Sequence, residues 1–303
     1  MQISNFNKLG QIFLCTTTLL CFPHLASAEW VGNAGVEIRH DSNINNAQLD
    51  SDIASASSLN ANATATGFFP LEDGNSLSVT GETRGEAFSN HNGLNNVSLG
   101  ATLAFRKKWA LGPYALWSGL SVSSAHLNYA NNIRNGQRNQ LAIRGGKRVH
   151  ERWNVFAEYM AERRSANTLP PDQPDISGDV FTQSSRAMTL NAEYIWNDNI
   201  FVTFGALLRR GDVIASVQEP TNYSYAQHAI VHASKAIATD TVYGPHFYAY
   251  RMDGTTYGLN VDINFALTPD TLLRAALSRN ITHTEGGNNY AKGVQMVTWS
   301  RNF

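Results

Sequence analysis

Tyr257-Gly258-Leu259-Asn260-Val261-Asp262-Ile263-Asn264-Phe265-Ala266-Leu267 alternates apolar with polar or small residues along its length. Side chains on a β-strand point to opposite faces in turn, so Tyr257, Leu259, Val261, Ile263, Phe265 and Leu267 form one apolar wall. Thr256, Asn260, Asp262 and Asn264 form a polar one. The same period of two recurs along the chain. Trp30, Ala34, Val36 and Ile38 oppose Asn33, Glu37, Arg39 and Asp41. Leu77, Val79, Gly81, Thr83 and Ala87 oppose Ser78, Thr80, Glu82, Arg84 and Glu86. Val97, Leu99, Ala101, Leu103 and Phe105 oppose Asn96, Ser98, Thr102 and Arg106. Helical periods are few.

Alternation by itself also describes a soluble sandwich. Three features separate the two readings. The segments run to about 10–13 residues, whereas ordinary strands average nearer 5–6 and a tilted bilayer crossing needs about 9–11. Aromatic residues gather at segment ends (Trp30, Trp109, Tyr114, Trp153, Tyr194, Trp196, Trp299, Phe303), where a lipid–water boundary places them. The polar faces carry many charges, which a dry sandwich core rejects and a water-filled lumen accepts.

Turn chemistry sets the strand count. Short connections are expected at 70–75, 107–112, 149–152, 197–199, 238–240 and 268–270. Longer polar loops are expected at 43–53, 90–93, 131–136, 167–178, 214–222 and 285–289, with one tight hairpin at Asp253-Gly254. Short and long connections alternate, as in barrels with tight periplasmic turns and longer outer loops. The fold class read from this is all-β: a transmembrane outer-membrane antiparallel up-and-down β-barrel of about 14 strands.

The first residues have the form of an export signal. Lys8 supplies the positive end, 12–25 is apolar, and Ala26-Ser27-Ala28 is a small-x-small cleavage site. The division expected is a signal peptide over 1–28 and a barrel over 29–303, with cleavage near Ala28 and Glu29 as the mature N-terminus. The apolar run is too short, and too broken by Thr16 to Thr18, for a membrane anchor. Cys15 and Cys21 both fall inside it, and Leu20 is too bulky for lipoprotein processing at Cys21. The barrel is thus free of cysteine, which excludes a disulfide scaffold and thiolate metal sites. A formal charge of -1 supplies no field to recruit nucleic acid.

At the other end, Val297, Trp299 and Phe303 share one face of the last strand. A terminal aromatic preceded by alternating apolar residues has the form of a membrane-insertion signal read by the outer-membrane assembly machinery. The expected location is the outer membrane of a Gram-negative bacterium. The expected partners are its lipids and that machinery.

Face assignment puts Glu37, Arg39, Glu82, Arg84, Glu86, Arg106, Arg138, Arg144, Arg148, Glu158, Glu162, Arg164, Glu193, Arg209, Asp262 and Arg274 inside the barrel. Such a lining acts either as a constriction that sorts solutes by charge or as a paired network that fills the bore. His232-Ala233-Ser234 invites comparison with lipid hydrolases that carry a His and a Ser two apart on one strand face. Here the apolar face is that of Ala229, Val231 and Ala233, which would turn His232 and Ser234 away from lipid. No catalytic residues are therefore assigned. Asp41, Asn43, Asn45 and Asp52 loosely follow calcium-loop spacing, but Asn46 holds the glycine position, and Asx-rich turns form for local reasons. Neither a metal nor a cofactor is expected.

Two stretches resemble the C-terminal β-barrel of the surface lipoprotein assembly modifier family. His40-Asp41-Ser42-Asn43-Ile44-Asn45-Asn46-Ala47 is similar to that barrel's first strand entering an Asp/Asn-rich loop. Arg251, Asp253, Tyr257, Leu259 and Asn260, then Thr268-Pro269, Ser278-Arg279-Asn280 and Trp299-Ser300-Arg301-Asn302-Phe303, follow the order of its closing strands. The resemblance implies a barrel that assists export or surface display, with a surface lipoprotein as client. It would be a stand-alone barrel, since no helical repeat of about 34 residues occurs and Glu29 leads into the first strand. A passive porin-like channel for small solutes is the alternative, and a lipid hydrolase a third class.

Overall fold

The computed structural model describes residues 28–171, 176–218 and 230–303. The signal peptide expected over 1–28 lies, but for Ala28, outside them. The strands are β1 (Glu29–Asp41), β2 (Ala56–Pro70), β3 (Asn75–Phe88), β4 (Asn96–Lys108), β5 (Trp117–Tyr129), β6 (Gly136–His150), β7 (Trp153–Ala166), β8 (Gln183–Asn197), β9 (Ile200–Gln218), β10 (Ala236–Thr239), β11 (Phe247–Thr268), β12 (Thr271–Thr284) and β13 (Tyr290–Asn302).

Each strand except β9 pairs antiparallel with the next, β13 pairs with β1, and β9 pairs directly with β11. That last pairing closes a ring of twelve strands and leaves β10 outside it. β10 binds β11 at Tyr248 to Arg251, above Gly254, where the pairing of β11 with β12 begins. The all-β closed barrel is thus as expected, with twelve ring strands and one extra against the expected 14. The whole difference lies between 214 and 253. The hairpin expected at Asp253-Gly254 does not form, because β11 runs straight through it. The loop expected from 214 does not start there, because β9 continues to Gln218. The turn expected at 238–240 is the end of β10 and lies at the outer rim.

Why Asp253-Gly254 stays in a strand is visible in its partners. Gly254 stands opposite Gly211, and Asp253 opposite Asp212. Two facing carboxylates repel, but Lys235 Nζ donates to both, at 3.0 Å to Asp212 and 2.6 Å to Asp253. Gly211 has φ of +135°, and a Cβ there would sit 2.3 Å from the Ser184 carbonyl oxygen, so glycine is required.

The outward face is a belt of exposed apolar side chains, among them Ile38 at 63% and Leu259 at 69% exposure. Apolar surface of this extent, on a sheet whose other face is polar, is made for hydrocarbon rather than water. The aromatics collect at the short-turn end. Trp153 and Tyr194 lie 5.0 Å apart, and Tyr194 meets Trp196 edge-on at 6.2 Å. Val297, Trp299 and Phe303 are all exposed on this outer face. Phe303 also finishes the seam: its N–H donates to the Gly32 carbonyl at 2.8 Å, and its carbonyl accepts from the Gly32 N–H at 3.2 Å.

Two outcomes follow for assembly. Val261→Arg places a cation in the belt and should cost about 2–4 kcal/mol, read as a lower midpoint in urea unfolding from lipid. Phe303→Asp should reduce the folded, heat-modifiable gel band more than Asn302→Asp, and equal bands for the two would refute the role given to Phe303.

Candidate functional site

Strand register fixes which side chains share a wall. Asn60 faces Glu86 across β2 and β3, Arg144 faces Glu158 across β6 and β7, and Asp262 faces Ala276 across β11 and β12. Followed round the ring, this register puts all sixteen charged residues singled out above on one face, opposite the apolar belt. The structure therefore gathers them around one lumen.

Within it, neighbouring strands pair much of the charge. Arg274 Nη2 lies 2.8 Å from Asp262 Oδ2, and Arg144 contacts Glu158. Glu37 accepts from Asn60 at 3.2 Å and Thr298 at 3.3 Å. Glu162 accepts from Gln140 at 2.6 Å, and Glu193 from Asn154 at 2.7 Å. Each of these carboxylates thus has a donor beside it and is spared the cost of an unpartnered dry site. At the short-turn end Arg106, Lys108, Arg148 and Glu193 surround an open cavity of about 630 Å³, and the Arg106 guanidinium lies 4.7 Å from the Trp117 ring centre.

The opposite, outer end is filled. There β9, β11 and β10 rise past the ring as a three-stranded flap, with apolar side chains on both faces. One face carries Ala215, Val217, Ile237, Tyr250 and Met252, and packs against Ala47 and Ile230. The other carries Ala236, Ala238 and Ala249, and packs against Val180 and Phe181 from the β7–β8 connection. The segment between β10 and β11 then crosses the mouth to the far wall. His91, in the β3–β4 loop, makes a 3.2 Å hydrogen bond through Nδ1 with the Val242 carbonyl, and its ring lies 5.1 Å from that of Tyr243. Tyr243 also donates to the Ile44 carbonyl at 3.4 Å. Burial pushes the Tyr243 hydroxyl above its usual range, so it stays neutral.

One buried ion pair fixes this plug. Asp240 is fully buried, and its Oδ2 accepts from Arg134 Nη2 and from Ser216 Oγ, each at 2.6 Å. The Arg134 guanidinium in turn lies 4.1 Å from the Phe181 ring centre. The Asp/Asn-rich loop after β1 supports the plug from another side. Asn43 accepts from the Ala47 N–H at 3.0 Å and donates to its carbonyl at 2.8 Å. Asn45 donates to the carbonyls of Asp52 and Ser216, each at 2.7 Å. These amides are committed to backbone partners, so the calcium-like spacing serves a scaffold. Among the described residues no group of three or more His, Cys, Asp or Glu is placed to hold a metal.

His232-Ala233-Ser234 does not lie on a strand. Residues 230–233 are helical, and Ser234 Oγ donates to the Ile230 carbonyl at 2.6 Å. The alternation read there came from a helical turn at the flap, outside the ring. Sequence reasoning also missed Arg134, Asp240 and Tyr243, the residues that shut the mouth. Asp240 was read as part of a tight turn, and nothing local signals a partner 106 positions away.

An outer-membrane channel from Pseudomonas putida F1 matches this structure with a TM-score of 0.56 at 14% identity, covering 93% of this chain and 98% of that one. The chain has the fold of an outer-membrane β-barrel. The translocator domain of the autotransporter NalP from Neisseria meningitidis matches at 0.45 and 12% identity, over 98% and 95% of the two chains. The outer-membrane channel DcaP of Acinetobacter baumannii matches at 0.43 and 9%, over 91% and 97%. No family model matches the sequence, and no curated protein does.

Removing one partner of a buried ion pair leaves an uncompensated charge and costs about 3–5 kcal/mol. Asp240→Ala should accordingly loosen the plug and spare the ring. The measure is amide hydrogen exchange, with protection lost over 212–218 and 236–252 and kept over 96–106 and 117–129. Unchanged exchange at 236–252 would mean that the pair does not hold the plug.

Proposed function

We propose that this barrel is a passive, porin-like channel for small solutes in the Gram-negative outer membrane, held shut at its outer mouth by its own plug. The carrying observation is the contrast between the two ends of one lumen. The wall is charged and open to water at the short-turn end, and the outer mouth is crossed by residues 240–246. A charged wall follows from any lipid-facing ring, so the weight rests on the arginines left without a carboxylate partner around that open cavity. The lining serves as a constriction where arginines have no carboxylate partner and as a structural network where they do. Arg144 and Arg274 belong to the second kind, and Arg106 and Arg148, which form no ion pair among the described residues, to the first. On the outward face His40 Nδ1 lies 3.1 Å from Ser57 Oγ, but among the described residues no carboxylate bonds that imidazole, and we read the chain as a non-enzyme.

Assistance in surface display of a lipoprotein is the second reading. It is supported by the short motifs shared with the assembly modifiers and would require a lipoprotein client beside the lipids and assembly machinery. Several of those motif residues have structural tasks here: Asn43 and Asn45 scaffold the plug, and Asp253 binds Lys235.

Planar bilayers separate the two. Shortening 241–246 to a glycine linker should turn rare, brief openings into steady conductance. Adding Arg148→Glu to that variant should shift ion selectivity towards cations. Absence of conductance from the shortened protein, with loss of a surface lipoprotein when the gene is deleted, would overturn the channel and favour export.

A further inference from the structure

Directly under the plug lies a second cavity of about 410 Å³, lined by residues of β1–β5, β7 and β13 together with Arg134 and Tyr243 from the loops above. Its size is that of a small-molecule site. Four cations, Arg39, Arg134, Arg164 and Lys292, and two carboxylates, Asp41 and Glu86, line it, and Glu86 is taken up by Ser58 at 2.9 Å and Asn96 at 3.4 Å. Asp41 is shared by Arg39 at 3.5 Å and Lys292 at 3.1 Å, and Arg134 is held by Asp240. Arg164 forms no ion pair among the described residues. It donates to the Arg134 carbonyl at 2.8 Å, and its guanidinium lies 5.1 Å from the Tyr129 ring centre.

Two further observations make this cluster unusual. The register sets Arg138 directly opposite Arg164, an arrangement of like charges that a sheet ordinarily avoids. The Nε donors of Arg39, Arg134 and Arg164 are all buried with no protein acceptor in bonding range. Arg134 is itself only 9% exposed. Guanidinium forks held this way match a planar carboxylate, which accepts two parallel hydrogen bonds. Beside them stand the rings of Tyr129 and Tyr243, the latter neutral, which offer faces to a flat apolar body.

We propose that this cavity is a binding subsite for a small organic monocarboxylate with a flat, apolar body. Arg164 is its principal anion donor, and Tyr129 and Tyr243 are its apolar wall. The proposal rests on the channel reading for its purpose but not for its chemistry. A carboxylate arriving there meets the underside of the plug, in contact with Tyr243 and with the Arg134 that holds Asp240.

Calorimetry on the folded full chain in detergent tests it, with benzoate, benzamide and inorganic phosphate as probes. Benzoate should bind saturably, and benzamide and phosphate at least about tenfold more weakly, since each lacks one half of the recognition. Arg164→Gln should weaken benzoate by about tenfold or more, as loss of a charge-assisted pair does. Tyr129→Leu should weaken benzoate and leave phosphate unchanged, and it serves where the arginine variant lacks the heat-modifiable band of a folded barrel. No benzoate heat, or phosphate or benzamide binding as tightly as benzoate, would overturn the subsite. Conductance by the loop-shortened protein, with no benzoate binding by the full chain, would leave the channel standing and the subsite refuted. Benzoate binding without conductance would do the reverse.

Discussion

Hydrocarbon offers no partner to a backbone N–H or C=O, so a sheet that crosses a bilayer must leave no open edge. Everything else in this chain follows from how it meets that demand. The seam between β1 and β13 and the long pairing of β9 with β11 close the ring. Closure then fixes the chemistry of both faces, because the side-chain period of two sends each strand's polar set to one side. In a lipid-facing barrel that side can only be the lumen. A charged interior is thus a consequence of the fold before it is an adaptation, and only its departures from simple pairing carry functional meaning.

The span of the bilayer needs about 9–11 residues per strand, and β9 and β11 have 19 and 22. The excess rises beyond the ring, where β12 no longer covers β11. An uncovered edge invites pairing with another chain. β10 occupies it, and loops cover both faces of the resulting flap. The Arg134–Asp240 pair within this packing is a poor source of stability, since desolvating two charges offsets much of their attraction. Its effect is on specificity. A fully buried carboxylate accepts only the geometry that brings Arg134 and Ser216 to it, so the flap has one seat over the mouth.

Period-two reading succeeded wherever one face met lipid and the other met water, which covers the twelve ring strands. It failed over 214–253 for the same reason. The flap is apolar on both faces, so Ile214-Ala215-Ser216-Val217 and Ala236-Ile237-Ala238 do not alternate. Asp253-Gly254 has the composition of a hairpin, but the lysine that holds the two facing aspartates lies 18 residues upstream. His232 and Ser234 illustrate the converse: two residues apart means one face of a strand, but not of a helical turn. Long-range partners decide the flap and the Asp253-Gly254 strand, and a local window contains none of them.

Opposite charges about 4 Å apart attract by about 4 kcal/mol at an effective dielectric near 20, enough to collapse a charged bore onto itself. The pattern of pairing shows why this one does not collapse. Arg274–Asp262, Arg144–Glu158 and Lys292–Asp41 each join adjacent strands, and Arg39–Asp41 lies within one. Such pairs lie along the wall and draw nothing across the lumen. Among the described residues, the ion pair that bridges the mouth is Arg134–Asp240, and it belongs to the plug. The hydrogen bonds of Tyr243 and Val242 to the far wall belong there too. Wall and obstruction are therefore held by separate sets of contacts. The plug can leave its seat without unpairing the wall, which is the physical condition for a barrel that opens without unfolding.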